Sequence, residues 1–163
     1  MAEQVKTYDD WLPPPRRCDV CAAPDVQLVS INGRKSYSCP HCEASTNCHP
    51  GSDHPMGFMA DLPTRLARSD GHAAFDPLWQ EGYMTRDDAY GWLSSALARP
   101  KMETHFGMFD MSDSRTAEQL CTGKLSELRA HRQTGLAKAA SGYQKYLQQE
   151  EKYKLHLNGI LLY

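Results

Sequence analysis

Nowhere in the 163 residues do 18 apolar residues run together, and the opening Met1-Ala2-Glu3-Gln4-Val5-Lys6 lacks the charged-then-apolar pattern of an export signal. The first absence excludes a helical membrane span, and the two together predict a soluble, cytoplasmic protein. A surplus of basic charge is missing too. Eighteen Lys and Arg stand against 20 Asp and Glu, a net charge of -2, which gives no support for a protein held to its partner mainly by attraction to phosphate. There is no internal repeat, which excludes a solenoid, and no low-complexity tract, which argues against a disordered linker.

What is present suffices for a core. Apolar residues make up 40%, with three Trp and eight Tyr, while a mean hydropathy of -0.62 describes a polar surface. The length fits one ordinary domain or a small metal module joined to a helical body. Charge is unevenly spread. Ser52 to Asp113 holds five Lys/Arg against ten Asp/Glu, and Ser114 to the end holds eight against four. The basic tail suits either a local nucleic-acid contact or attraction to the acidic middle.

The chain is organised around Cys18 to Cys42. Two Cys-x-x-Cys hooks, Cys18-Asp19-Val20-Cys21 and Cys39-Pro40-His41-Cys42, are separated by 17 residues. Each hook brings two thiolates to one ion, and two hooks supply the four soft ligands that tetrahedral Zn²⁺ takes. Between them Asp25 to Ile31 alternates in part, Asn32-Gly33 is a favoured two-residue hairpin turn, and Arg34 to Ser38 returns. A redox Cys-x-x-Cys would need a βαβ setting and would leave the second hook without a purpose. With Cys18, Cys21, Cys39 and Cys42 all used, no coordination position is open to substrate, so one structural zinc is expected. Cys48 and Cys121 remain as isolated thiols, a pattern of reducing compartments.

Pro13-Pro14-Pro15 stiffens an arm that carries Trp11. Arg16 and Arg17, with Arg34 and Lys35 at the hairpin turn, form either a basic edge for nucleic acid or an ordinary solvated surface. From Glu43 to Gly57 turn formers dominate and a loop is expected; Cys48, His49 and His54 within it are metal-capable but make an odd set of three.

Asp61-Leu62-Pro63 reads as a helix start, with the helix running to about Phe75. Along it Arg65, Arg68, His72 and Asp76 fall at steps of three, four and four, on one stripe. That stripe suits anion binding or acid/base work with Asp76 orienting His72, or simply a salt-bridged face. With Cys48 and His49 these residues make the candidate functional cluster. Asp76-Pro77 should cap a short turn ended by Gly82, and Thr85-Arg86-Asp87-Asp88 opens a helix with Ala89, Trp92, Leu93, Ala96 and Leu97 at helical spacing, stopped by Pro100.

His105 to Phe109 is expected as a short strand and Thr116 to Arg132 as a helix with Cys121 packed on its apolar side. A further helix, Leu136 to about Leu157, carries Leu136, Ala140, Tyr143 and Leu147 on one stripe. Lys145, Tyr146, Lys152, Tyr153 and Lys154 interleave cations with aromatics, which suits a single-strand surface, or a docking or homo-oligomer helix with a snorkelling basic face.

The fold class expected is therefore α+β: an N-terminal Cys₄ zinc ribbon on a β-hairpin, then a mainly α-helical body with a long C-terminal helix. The segments are an arm at 1–17, ribbon and Cys/His loop at 18–58, helical body at 59–132, and terminal helix and tail at 133–163.

These residues together resemble a zinc-finger-containing family found largely in phages and mobile elements, a domain of uncharacterised function. The likeness rests on Cys18-x-x-Cys21, Cys39-Pro40-x-Cys42-x-Ala44, Cys48-His49-Pro50-Gly51, Pro55-Met56-Gly57, Arg65, Arg68, His72-Ala73-Ala74-Phe75-Asp76-Pro77-Leu78-Trp79 and Arg86-x-x-Ala89-Tyr90-x-Trp92-Leu93. It spans about residues 18 to 121. It implies a zinc ribbon fused to a helical segment, encoded by a virus or plasmid and acting in a bacterial cytoplasm.

The expected function is a non-enzymatic zinc module recognising nucleic acid or a nucleic-acid-handling protein. An adaptor binding a host polymerase or defence component, and a nuclease-like enzyme using His49 or His72 with Asp76, are the alternatives.

Overall fold

The computed structural model describes the backbone of residues 12–160 and the side chains of residues 12–151. Trp11, the side chains of Lys152, Tyr153 and Lys154, and Leu161, Leu162 and Tyr163 lie outside the described residues. No described helix is long and apolar enough to cross a membrane.

The fold is α+β. Strands β1 (Gln27–Ile31) and β2 (Arg34–Ser38) form an antiparallel hairpin with Ile31 opposite Arg34. Asn32 and Gly33 both hold positive φ, 53° and 77°, as a two-residue turn matched to strand twist requires. A third strand, β3 (Ser45–Asn47), pairs with the outer edge of β2, placing Tyr37 opposite Thr46. The sequence reading has a loop here. Three residues carry no periodic signal, and the strand exists because β2 offers an unpaired edge beside it.

The α-helices among the described residues are α1 (Leu62–Phe75), α2 (Pro77–Gln80), α3 (Arg86–Ala96) and α4 (Met111–Ile160). Asp61 caps α1 by accepting the Thr64 N–H at 2.9 Å. Thr85 does the same for α3, accepting the Asp88 N–H at 3.1 Å. Asp76 makes no side-chain cap; it ends α1 through its own N–H to the His72 carbonyl and accepts the Trp79 indole N–H at 3.3 Å.

Two further expectations are corrected. His105 to Phe109 is a 3-10 turn over Phe106–Met108, because Phe106 turns into the core and no described strand lies alongside to pair with it. The helices expected at Thr116 to Arg132 and from Leu136 are one, since nothing from Gln133 to Gly135 interrupts the backbone ladder. Gly135 has helical room and no proline accompanies it.

Residues Met1–Gly123 and Lys124–Tyr163 form two compact units. In the first, Phe75, Leu78, Leu93, Phe106 and Phe109 are fully buried. The Phe106 ring centroid lies 5.7 Å from that of Phe75 and 5.2 Å from that of Phe109. Gly71 makes this possible, because a Cβ there would stand 2.5 Å from the Phe106 ring. In the second unit, every described side chain from 129 to 151 is exposed, Leu136, Tyr143 and Leu147 included.

Ribbon and helices are joined by backbone. Ser45 and Ala60 exchange two hydrogen bonds, Thr46 donates to the Gly57 carbonyl at 3.0 Å, and Phe58 N–H reaches the Gly107 carbonyl at 2.9 Å. Gly57 and Gly107 approach so closely that a Cβ at Gly57 would collide with the Gly107 backbone. Gly57→Ala should therefore destabilise the zinc-loaded protein by about 1–3 kcal/mol in urea unfolding. Gly91→Ala, in the open interior of α3 with nothing near its Cβ, should not lower stability. Equal stability of the two variants would contradict the junction.

Candidate metal centre and adjoining recess

The two hooks have one backbone design. Cys18 N–H bonds the Ala23 carbonyl at 2.9 Å and Ala22 N–H bonds the Cys18 carbonyl at 2.9 Å. Cys39 N–H and Glu43 N–H repeat the pattern with Ala44 and Cys39, at 2.9 and 3.0 Å. The residue after each second cysteine, Ala22 or Glu43, sits at φ 59°. A left-handed conformation costs a non-glycine residue roughly 1–2 kcal/mol, and here it turns each chain back so that both sulfurs face one point.

The four Sγ atoms of Cys18, Cys21, Cys39 and Cys42 lie within 4.8 Å of one another. Cys18 and Cys42 are 3.5 Å apart, as are Cys21 and Cys39. A tetrahedron with Zn–S of about 2.3 Å needs sulfurs about 3.8 Å apart, so the set fits zinc; a disulfide would need about 2 Å. Val20 N–H points at the Cys18 sulfur at 3.4 Å. Burial opposes ionisation of Cys39, yet the amides of His41 and Cys42 and the Cys21 thiol bring it down to about 6. Cys42, although drawn down by the Ala44 amide, is pushed up to about 12 by burial and by the crowding thiols of Cys21, Cys18 and Cys39. Four thiols in one space cannot all ionise without a cation among them, and a divalent ion removes that conflict. The protein is a zinc-binding module with one structural site.

Behind the sulfurs lies a small core of Tyr37, Ala44, Cys48 and Met59, packed with Cys18 and Cys39. Cys48 is thus a packed thiol, raised by burial, and the four hook cysteines are the only metal-capable group among the described residues. Cys48, His49 and His54 are not gathered for a second ion. Cys121 is likewise buried, its thiol pushed up to about 12 by burial.

At the proposed basic edge, Lys35 is ion-paired with Asp53 and Arg17 donates to the Ala22 carbonyl at 3.4 Å, while Arg16 and Arg34 are exposed. The other cluster is brought together more fully. Arg65, Arg68 and His72 of α1 line a recess of about 500 Å³ with His49 from the Cys/His loop. Asp76 stands 3.8 Å from His72 Nδ1 and is not part of the lining. Burial lowers the His72 imidazole below its usual range, and the Arg86 charge adds to this, against the pull of Asp76.

Arg86 and His105 also line the recess. Sequence periodicity gives no sign of them, because they come from different elements: Arg86 is the first residue of α3 and His105 precedes the 3-10 turn. A cation count would not find the site either, since it lies within the acidic middle of the chain.

A family model described as a zinc-finger-containing domain matches residues 16–124. Among curated proteins, and among solved structures, nothing matches the chain.

Proposed function

The chain belongs to the family described as a zinc-finger-containing domain, and from that membership we propose that it is a non-catalytic module that recognises nucleic acid. One observation carries this reading. In a protein of net charge -2, Arg65, Arg68 and Arg86 line the same recess as His49, His72 and His105, and no carboxylate is among the described residues of the lining. Zinc holds the ribbon, and the ribbon, through β3 and the loop after it, presents one wall of that recess. The basic hairpin edge adds less, because Lys35 is already neutralised by Asp53. By the family resemblance, the protein is encoded by a phage or mobile element and works in a bacterial cytoplasm.

Binding of single- and double-stranded DNA and RNA across a salt series tests this. Arg65→Ala with Arg86→Ala should weaken binding uniformly across sequences and lower the slope of log affinity against log salt by about 2, one for each lost phosphate contact. Arg34→Ala with Lys35→Ala should weaken it less. Indifference of every nucleic acid to both pairs of substitutions would remove the reading.

A second reading, an adaptor for a nucleic-acid-handling or other host protein, is favoured by exposed apolar groups. Val20 and Phe58 line one recess, and Leu62 and Leu66 are exposed on α1. The exposed stripe of Leu136, Ala140, Tyr143 and Leu147 on α4 is where self-association would occur. Specific capture of one host protein, lost in Val20→Ser with Phe58→Ser and kept in the arginine variants, would favour the adaptor.

A further inference from the structure

The recess is built like a receptor for one compact dianion, and we propose that it binds a phosphomonoester, the terminal phosphate of a nucleotide. The proposal rests on the nucleic-acid reading only for the source of that phosphate, a strand end or a free nucleotide.

Elsewhere in the acidic middle and the start of α4, cations meet carboxylates: Arg99 pairs with Asp113, Lys101 with Asp87, and Arg115 with Asp70 and Glu118. The recess departs from this. Arg65 and Arg86 form no ion pair with a described residue; Asp61 acts on Arg65 and Arg68, and Asp19 and Asp110 on Arg68, as nearby charges outside the described lining. Asp61 itself is engaged by Thr64 at the α1 cap. Arg65 and Arg86 thus meet at one recess with no described carboxylate ion-paired to either, an arrangement that a bound anion completes.

The groups are also held in place by contacts of their own. Arg68 donates from Nε to the Phe109 carbonyl at 2.7 Å and from Nη1 to the Phe58 carbonyl at 2.8 Å, so it is a fixed charge at the ribbon junction. The Arg86 guanidinium lies over the rings of Trp79 and Tyr90, 5.8 and 5.4 Å from their centroids. Stacking occupies its faces and leaves the N–H groups at its edge to donate. His105 Nδ1 accepts the Gly107 N–H at 3.1 Å, which puts the proton of the neutral ring on Nε2. His72 rests on Phe106, ring centroids 4.4 Å apart, with Nδ1 toward Asp76. Arg65 is exposed on α1 and free to swing onto a bound group.

The chemistry selects the ligand. The guanidinium edges of Arg65 and Arg86, approaching from α1 and α3 beside the imidazole rings, suit a tetrahedral oxyanion with acceptors on all sides. With Arg68 set against Asp19, Asp61 and Asp110, the charges of Arg65 and Arg86 match the two of a monoester and exceed the single charge of a phosphodiester. The volume of about 500 Å³ is within the range of nucleotide-sized ligands.

The test uses the full zinc-loaded chain. Imidazole resonances of His72 and His105 are followed by NMR during titration with inorganic phosphate and with adenosine monophosphate. Affinities are then measured for one short oligonucleotide carrying a 5′-phosphate, a 3′-phosphate or hydroxyl ends. The expected result is a shift of both histidines with phosphate and at least tenfold tighter binding of a phosphorylated end. Both effects should be lost in Arg65→Gln with Arg86→Gln, with zinc content and helicity unchanged. If phosphate and the mononucleotide shift the histidines in an arginine-dependent way and no strand binds, the site stands with a free nucleotide as its ligand, and the nucleic-acid reading falls. If strands bind alike whatever their ends and phosphate moves neither histidine, the phosphate site is overturned and the nucleic-acid reading survives.

Discussion

Cys39→Ser is expected to cost the chain its zinc and, with it, the folded ribbon, while the helical core remains. The argument is one of size. The ribbon's own core is Tyr37, Ala44, Cys48 and Met59 around the buried hook cysteines, and of β1 only Val29 is even partly covered. A three-stranded sheet with so little buried on either face does not stand unaided. Zinc in small finger domains contributes on the order of 10 kcal/mol, far more than this core supplies. Both hooks also hold a residue in the left-handed region, a strain that metal binding offsets. The helices have independent support in Phe75, Leu78, Leu93, Phe106 and Phe109. Backbone NMR of Cys39→Ser, or of the native chain with chelator, should show collapsed dispersion for residues 18–60 and persistent signals for α1 and α3. Because His49 and β3 belong to the ribbon, binding at the recess should fail as well. Unchanged ribbon signals without metal would contradict this.

Phe106→Ala is expected to cost about 3–5 kcal/mol in urea unfolding of the zinc-loaded protein, the range for removing a fully buried phenylalanine. Phe106 joins several parts of the body. It packs on Phe75 and Phe109, fills the space left by Gly71, and carries His72 on its face. Its loss opens a cavity between α1 and the start of α4 and removes the floor on which His72 is oriented. Zinc stoichiometry should be unaffected, since the ribbon core does not include it. A loss below about 1 kcal/mol would show that the centre of the body lies elsewhere.

Much of this was legible in the sequence because the signals are local. The hooks are set by spacing, Asn32-Gly33 by the need for positive φ, and the starts of α1 and α3 by Asp61 and Thr85, whose side chains cap the helices. The elements that escaped are those decided by neighbours. Ser45–Asn47 becomes a strand through the edge of β2, and Phe106–Met108 becomes a turn through the pull of the core and the Gly57–Gly107 approach. The continuity of α4 across Gly135 was hidden because a glycine that weakens a helix need not end one. At the candidate site, the α1 stripe of Arg65, Arg68 and His72 follows from helical periodicity. Arg86 and His105 join it only in three dimensions, and Cys48 leaves it because its side chain is wanted in the ribbon core.

All of these roles depend on four sulfurs holding one ion. The most direct test is elemental analysis, alongside intact mass, of protein purified without chelator. One zinc per chain with all six thiols reduced is the result expected here; chains without stoichiometric metal, or with the hook cysteines bridged in pairs, would contradict it.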